Sequence, residues 1–139
     1  MPVFEVAYIA LGTNVGDRDR HLEVARAALA TLPHSRILAE STIEETAPIG
    51  PVAQGNYLNQ MVALETSLEP IRLLDELLRI EQTLGRERRE RWGPRTLDLD
   101  IVMFGEQSVH TDRLTVPHTE LVNREFWKRE LIELRGDWR

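Results

Sequence analysis

The sequence predicts an α+β domain in which helices pack on an antiparallel sheet. Three observations predict it. Four runs are apolar, partly alternating and rich in strand formers; two longer runs space apolar residues three and four apart; Gly, Pro and Asp separate them. The 139 residues suit one domain, 1–139, large enough to bury roughly two-thirds of the surface its unfolded chain exposes.

Val3 to Leu11 alternates at its start and reads as a buried strand. Gly12-Thr13-Asn14-Val15-Gly16-Asp17 reads as a turn, a weak signal for a phosphate cradle, with Asp17 placed to cap a helix. That helix carries Leu22, Ala25, Leu29 and Leu32 on one face, and Pro33 stops it. Ile37 to Thr46 reads as a second strand, and Ala47-Pro48-Ile49-Gly50-Pro51 as a loop. Asn59 to Leu68 alternates as a third strand. Pro70 opens a helix that carries Leu74, Leu77, Leu78 and Leu84, closed by Gly85. Leu97 to Phe104 is the fourth strand, and a last helix after Pro117 carries Leu121, Phe126 and Leu131. The order β-α-β-β-α-β matches the split βαβ, ferredoxin-like core, a scaffold that hosts many chemistries.

Composition narrows the function. The formal charge of −6 argues against a general nucleic-acid binder. No apolar run approaches the ~20 residues of a membrane span. With no cysteine there are no disulfides or thiolate metal sites, and Met1 to Glu5 lacks the start of a secretory signal, so a cytoplasmic location is expected. Of 17 basic residues only Lys128 is a lysine. Any grip on phosphate is therefore mostly guanidinium, whose planar fork meets phosphate oxygens in pairs. Arg86, Arg88, Arg89, Arg91 and Arg95 fall in one ten-residue window.

Asp98 and Asp100 carry the sharpest chemical signal. They lie two apart on an expected strand, so both carboxylates face one way and Leu99 and Ile101 the other. Side-by-side carboxylates repel, and a hard cation such as Mg²⁺ resolves the repulsion while also taking phosphate oxygens. A solvated strand face with incidental acids is the alternative. Arg91-Trp92-Gly93-Pro94-Arg95 just upstream favours the metal, because guanidinium groups and a metal can share the charge of a polyphosphate. The Walker and protein-kinase signatures are missing.

The run Arg91-Trp92-Gly93-Pro94-Arg95-Thr96-Leu97-Asp98-Leu99-Asp100 resembles the signature of the hydroxymethyl-dihydropterin pyrophosphokinase family. Ala10-Leu11-Gly12-Thr13-Asn14, Gly55-Asn56-Tyr57-Leu58-Asn59 and Leu114-Thr115-Val116-Pro117-His118 flank it in the family's order, from about Val6 to Phe126. The resemblance implies transfer of pyrophosphate from ATP to 6-hydroxymethyl-7,8-dihydropterin with release of AMP, in folate biosynthesis. It implies two Mg²⁺ ions on Asp98 and Asp100, catalytic roles for those two and for Arg86 and Arg95, and an arginine-rich loop that closes over the substrates. The pterin would meet Thr46, Ala47, Ile49, Tyr57, Asn59, Trp92 and Phe126. ATP would meet Leu78, Glu81, Arg88, Trp92, Arg95, Ile101, Arg113, Thr115 and His118. The implied partners are these two small molecules, with neither nucleic acid nor membrane, acting on a monomer. Relative to the family pattern the part after Phe126 is shortened, and Thr119 replaces an aromatic found in some members. A nucleotidyltransferase-like or cyclase-like palm would share Asp98 and Asp100 but not Tyr57-Leu58-Asn59 or the Arg-Trp-Gly-Pro-Arg run.

Overall fold

The computed structural model describes residues 2–48, 55–84 and 97–139; the expected site residues Ile49, Arg86, Arg88, Trp92 and Arg95 lie outside the described residues. The elements are β1 (Glu5–Thr13), α1 (Arg18–Ala30), β2 (Ser35–Glu40), β3 (Glu44–Thr46), β4 (Tyr57–Thr66), α2 (Pro70–Leu84), β5 (Asp98–Phe104), β6 (Val109–His110), β7 (Thr115–Val116) and α3 (Glu125–Arg135). The main sheet runs β2-β4-β1-β5, with β3 also on β4, and every pairing is antiparallel. This is the strand order of the expected βαββαβ core, joined by a small β6-β7 ribbon and a third helix. No helix among the described residues is long and apolar enough to cross a membrane.

Alternation along the central strands sends Ala7, Ile9 and Leu11 to one face, with Leu58, Val62 and Leu64 beside them. Leu22, Ala25 and Leu29 of α1 and Leu73, Leu77 and Ile80 of α2 close over that face. The other face buries Ala10, Met61, Val102 and Met103 beneath Leu121, Trp127 and Leu131. Asp17 caps α1 as its position predicts, accepting from the Arg20 backbone N–H at 3.2 Å.

Four local expectations are corrected. Gly12 and Thr13 belong to β1 rather than to the turn. The single strand 37–46 is broken between Glu40 and Glu44, because the Ser41 hydroxyl takes a ladder position and accepts the Met61 N–H at 2.9 Å. Thr42 then turns to α3, where its N–H and hydroxyl donate to the Glu133 carboxylate at 2.9 and 3.0 Å. On α2 the buried stripe is Leu73, Leu77 and Ile80, and Leu78 is exposed. The last helix starts only at Glu125, so Leu121 packs from the preceding turn.

One buried group opposes this packing. Glu130 of α3 is 2 % exposed, and neither carboxylate oxygen has a hydrogen-bond partner among the described residues. Burial first, then the Glu44 and Glu133 carboxylates, push its pKa from the ordinary 4.5 up to about 8, opposed in part by Arg129. Arg129 itself is engaged in an ion pair with Glu44.

Candidate active site

The pairing register builds the site on the α3 side of the sheet. Gly12 sits between Asn59 on β4 and Asp98 on β5; one pleat along, Ala10 sits between Met61 and Asp100. Two strand spacings of ~4.8 Å separate Asn59 from Asp98 across the floor. Asp98 and Asp100 share a face, as their spacing predicts, and both are half-buried. Beyond them β5 bulges: Ile9 pairs with Ile101 and Tyr8 with Met103, leaving Val102 unpaired with β1. The Val102 carbonyl instead accepts the His118 backbone N–H at 2.9 Å, which brings that histidine beside Asp100.

A cavity of about 290 Å³ opens over this floor. Ala10, Leu11 and Gly12 form its base; Thr46, Ala47, Tyr57 and Asn59 line one side; Asp98 and Asp100 line the other; Arg124, Phe126 and Trp127 come from the start of α3. The Asn59 side chain is held by donating from Nδ2 to the Thr46 hydroxyl at 2.6 Å. Its amide also offers an acceptor oxygen, the pairing needed to read an amide edge. Tyr57 and Phe126, half-buried, supply flat apolar surface.

A second cavity of about 250 Å³ adjoins the first and shares Asp100 with it. Leu74, Leu99, Ile101, Arg113, Leu114, Thr115, His118 and Thr119 complete its lining. The His118 Nδ1 accepts the Glu120 N–H at 3.1 Å, which leaves Nε2 as the ring N–H, 3.7 Å from the Asp100 carboxylate. Its ring meets Trp127 edge-on at 4.9 Å. Asp75 of α2 accepts from the Arg113 guanidinium at 2.5 Å. Glu81 accepts the Leu99 N–H at 2.6 Å and so ties α2 to β5 between the two aspartates. Neither Glu81 nor Leu78 lines these two cavities.

Among the described residues no group of three or more His, Cys, Asp or Glu side chains could hold a metal. Asp98 and Asp100 alone fit a hard cation that takes its remaining oxygens from water and phosphate, the ordinary habit of Mg²⁺.

Two residues of this site were not legible as such. Arg124 stands at the start of α3, where the helix dipole disfavours a cation and arginine makes no side-chain cap. Its guanidinium lies 4.4 Å from the Trp127 ring centroid, and its Nε is buried without a hydrogen-bond partner among the described residues. An arginine where a capping residue belongs is the signal that could have revealed it. The other residue is Gly12, which the turn assignment concealed.

Residues 8–136 match the family model described as 7,8-dihydro-6-hydroxymethylpterin-pyrophosphokinase. The chain belongs to this family. Its similar relatives include the 2-amino-4-hydroxy-6-hydroxymethyldihydropteridine pyrophosphokinases of Haemophilus influenzae and Bacillus subtilis. The first is 43% identical over 94% of this chain and 82% of that protein; the second is 43% identical over 93% and 77%. As a member the chain is a pyrophosphokinase enzyme of folate biosynthesis. In shape it is similar to a Plasmodium falciparum HPPK-DHPS crystal structure, with a TM-score of 0.77 at 14% identity over 99% of this chain. That likeness carries the fold alone, and the chain spans 41% of that solved chain's length.

Proposed function

We propose that this pyrophosphokinase transfers the pyrophosphoryl group of ATP to the hydroxymethyl oxygen of 6-hydroxymethyl-7,8-dihydropterin. The observation that carries the reading is the pair of adjoining cavities that meet at Asp100, one with flat walls and an amide, the other with Arg113, Thr115 and His118. The pterin lies on the floor of the first, between Tyr57 and Phe126, with its amide edge on Asn59. Thr46 orients that amide, and Ala47 borders the ring. Arg124 borders the pterin side from the start of α3. ATP occupies the second cavity, with Arg113, Thr115 and His118 toward the nucleotide and Ile101 beneath it. Leu78 contributes from the neighbouring helix surface, and Glu81 acts by holding β5 in place.

The hydroxymethyl oxygen attacks the β-phosphorus, the bond from that phosphorus to the α–β bridging oxygen breaks, and AMP leaves with the bridging oxygen. The hydroxyl proton passes to solvent. Two magnesium ions held by Asp98 and Asp100, when bound, neutralise phosphate oxygens and favour the developing charge. Arg86, Arg88 and Arg95 supply guanidinium to the same phosphates, Trp92 and Ile49 complete the pterin side, and the arginine-rich segment closes over both substrates. The substrates are small molecules, and the enzyme acts as a cytoplasmic monomer.

Incubation with ATP and the hydroxymethyl-dihydropterin tests the reading. AMP and a pyrophosphorylated pterin should form together, and only when both substrates are present. Production of ADP, or AMP formation indifferent to the pterin, contradicts it.

A further inference from the structure

The buried stripe of α3 contains an acid. Trp127, Glu130 and Leu131 share the face that packs on the sheet, and Glu130 is as deeply buried as the tryptophan. Neither oxygen of its carboxyl has a hydrogen-bond partner among the described residues. A charge in such a place has nothing to meet it, so burial favours the protonated form.

The surroundings strengthen that preference. Glu44 of β3 and Glu133 of α3 repel a negative charge at Glu130, and Arg129 opposes them in part. Arg129 is engaged with Glu44, and Glu133 accepts from the Thr42 N–H and hydroxyl. The β4 residues of this face, Met61 and Ala63, are uncharged, and Glu65 beyond them is paired with Arg36 of β2. From β1 and β5 come Ala10, Val102 and Met103, with Tyr8 beneath the Arg135 guanidinium.

Two walls of the first cavity lead to this acid. One turn before it, Phe126 and Trp127 line the cavity, and Trp127 meets the His118 ring and the Arg124 guanidinium. Glu44 pairs in register with Asn59, and two residues along β3 the Thr46 hydroxyl accepts from the Asn59 amide. Water reaches a charge at Glu130 only if the stripe lifts from the sheet. The second half of α3 is tied down, by Glu133 to Thr42 and by Arg135 to Glu106. The lift therefore falls on the first half, where the cavity residues stand. No α3 residue lines the second cavity, and its His118 is held separately by the Val102 carbonyl.

We propose that Glu130 is a positioning residue for the α3 wall of the active site: while its carboxyl is protonated the helix is seated and the wall complete, and loss of that proton lifts the wall and weakens binding in the first cavity while sparing the second. The proposal rests on the functional reading above for the ligand that fills the first cavity. Its sign follows from the direction of the shift. Glu130 holds its proton far above the ordinary range when the helix is seated, so the seated form is favoured most at low pH and loses that advantage as pH rises through about 8.

The test uses the full chain, with Glu130→Gln and Glu130→Leu beside wild type, each shown by melting to be folded at every pH used. Calorimetry follows the affinity for 6-hydroxymethylpterin and for a non-hydrolysable ATP analogue from about pH 6 to about pH 9.5. Amide exchange along α3 is followed without ligand over the same range. Each comparison is with the variants at the same pH, so ionisation of the ligand itself cancels. Wild type should lose at least about threefold in pterin affinity relative to Glu130→Gln across the range, the loss that follows when only a third of the molecules remain seated. Its α3 amides should exchange progressively faster than those of Glu130→Gln as pH rises, and affinity for the ATP analogue should stay the same in both. Glu130→Leu, which fills the stripe without a titrating group, should behave as Glu130→Gln does. The same pH dependence in wild type and both variants overturns the proposal. So does a difference that does not change with pH, or one that falls equally on both ligands, since either would make Glu130 a packing residue alone. If wild type binds no pterin at any pH, the functional reading fails, and the exchange comparison still decides whether the helix lifts.

Discussion

The two faces of the sheet are built from the same strands yet answer to different demands. On the α1–α2 face, Ile9, Leu11, Val62 and Leu64 are almost wholly buried and apolar. On the α3 face, the neighbouring positions are Gly12, Asn59, Asp98 and Asp100, and the helix above covers only part of the sheet. A strand's period of two lets one face carry the folding energy, from apolar burial, while the other holds polar groups that burial would penalise. Every active-site group on a central strand is thus one peptide away from a core residue. Stability and chemistry should separate between adjacent positions.

The largest separation is expected at the aspartates. Asp98→Asn or Asp100→Asn should lower AMP formation by at least ~10²–10³, the loss typical of one electrostatic stabiliser. Relief of carboxylate repulsion should leave the melting temperature no lower. Near-normal turnover in either variant would break the comparison. On the opposite face, Leu77→Ala should cost about 2–5 kcal/mol of stability by denaturant titration, with turnover per folded molecule preserved. The residue is 1 % exposed and packs in the larger core.

A third prediction concerns the exception on the α3 side. Glu130 holds its proton to about pH 8 when folded, against an ordinary 4.5. Between those values the folded chain binds a proton that the unfolded chain has released. This group's contribution is therefore fully present below about pH 4.5 and lost as pH rises through about 8. Glu130→Gln, uncharged at every pH, should flatten that decline, and its urea midpoint should exceed wild type's most at pH 9. An equal decline in both proteins would show that Glu130 ionises at no cost. The smallest effect is at the α1 cap, where Asp17→Ala should cost about 1 kcal/mol and leave catalysis alone.

Much of this division was legible in the sequence. Asp98 and Asp100 announced a shared face through their spacing, and the βαββαβ order implied the sheet that aligns them with β1. Four features were hidden for physical reasons. The leucine-rich run 73–78 offers two helical stripes, and only tertiary packing selects Leu73 and Leu77 over Leu74 and Leu78. The break at Ser41 depends on its side-chain hydroxyl, in place of a backbone carbonyl, accepting the Met61 N–H of β4, a long-range bond that no local pattern carries. The bulge at Val102 is likewise set by pairing with β1, and it is what delivers His118 to Asp100. Gly12 looked like turn chemistry because glycine is the usual mark of a turn, whereas here β1 runs through it.

The most direct measurement pairs one residue from each face: Asp100→Asn and Ile9→Val, each followed by thermal melting and by AMP release from ATP and the hydroxymethyl-dihydropterin. Ile9 is wholly buried and pairs with Ile101, the neighbour of Asp100. Ile9→Val should lose about 0.5–1.5 kcal/mol of stability and keep its turnover. Asp100→Asn should keep its melting temperature and lose nearly all AMP release. The reverse pattern, or equal losses of both properties in both variants, would contradict a sheet that folds on one face and reacts on the other.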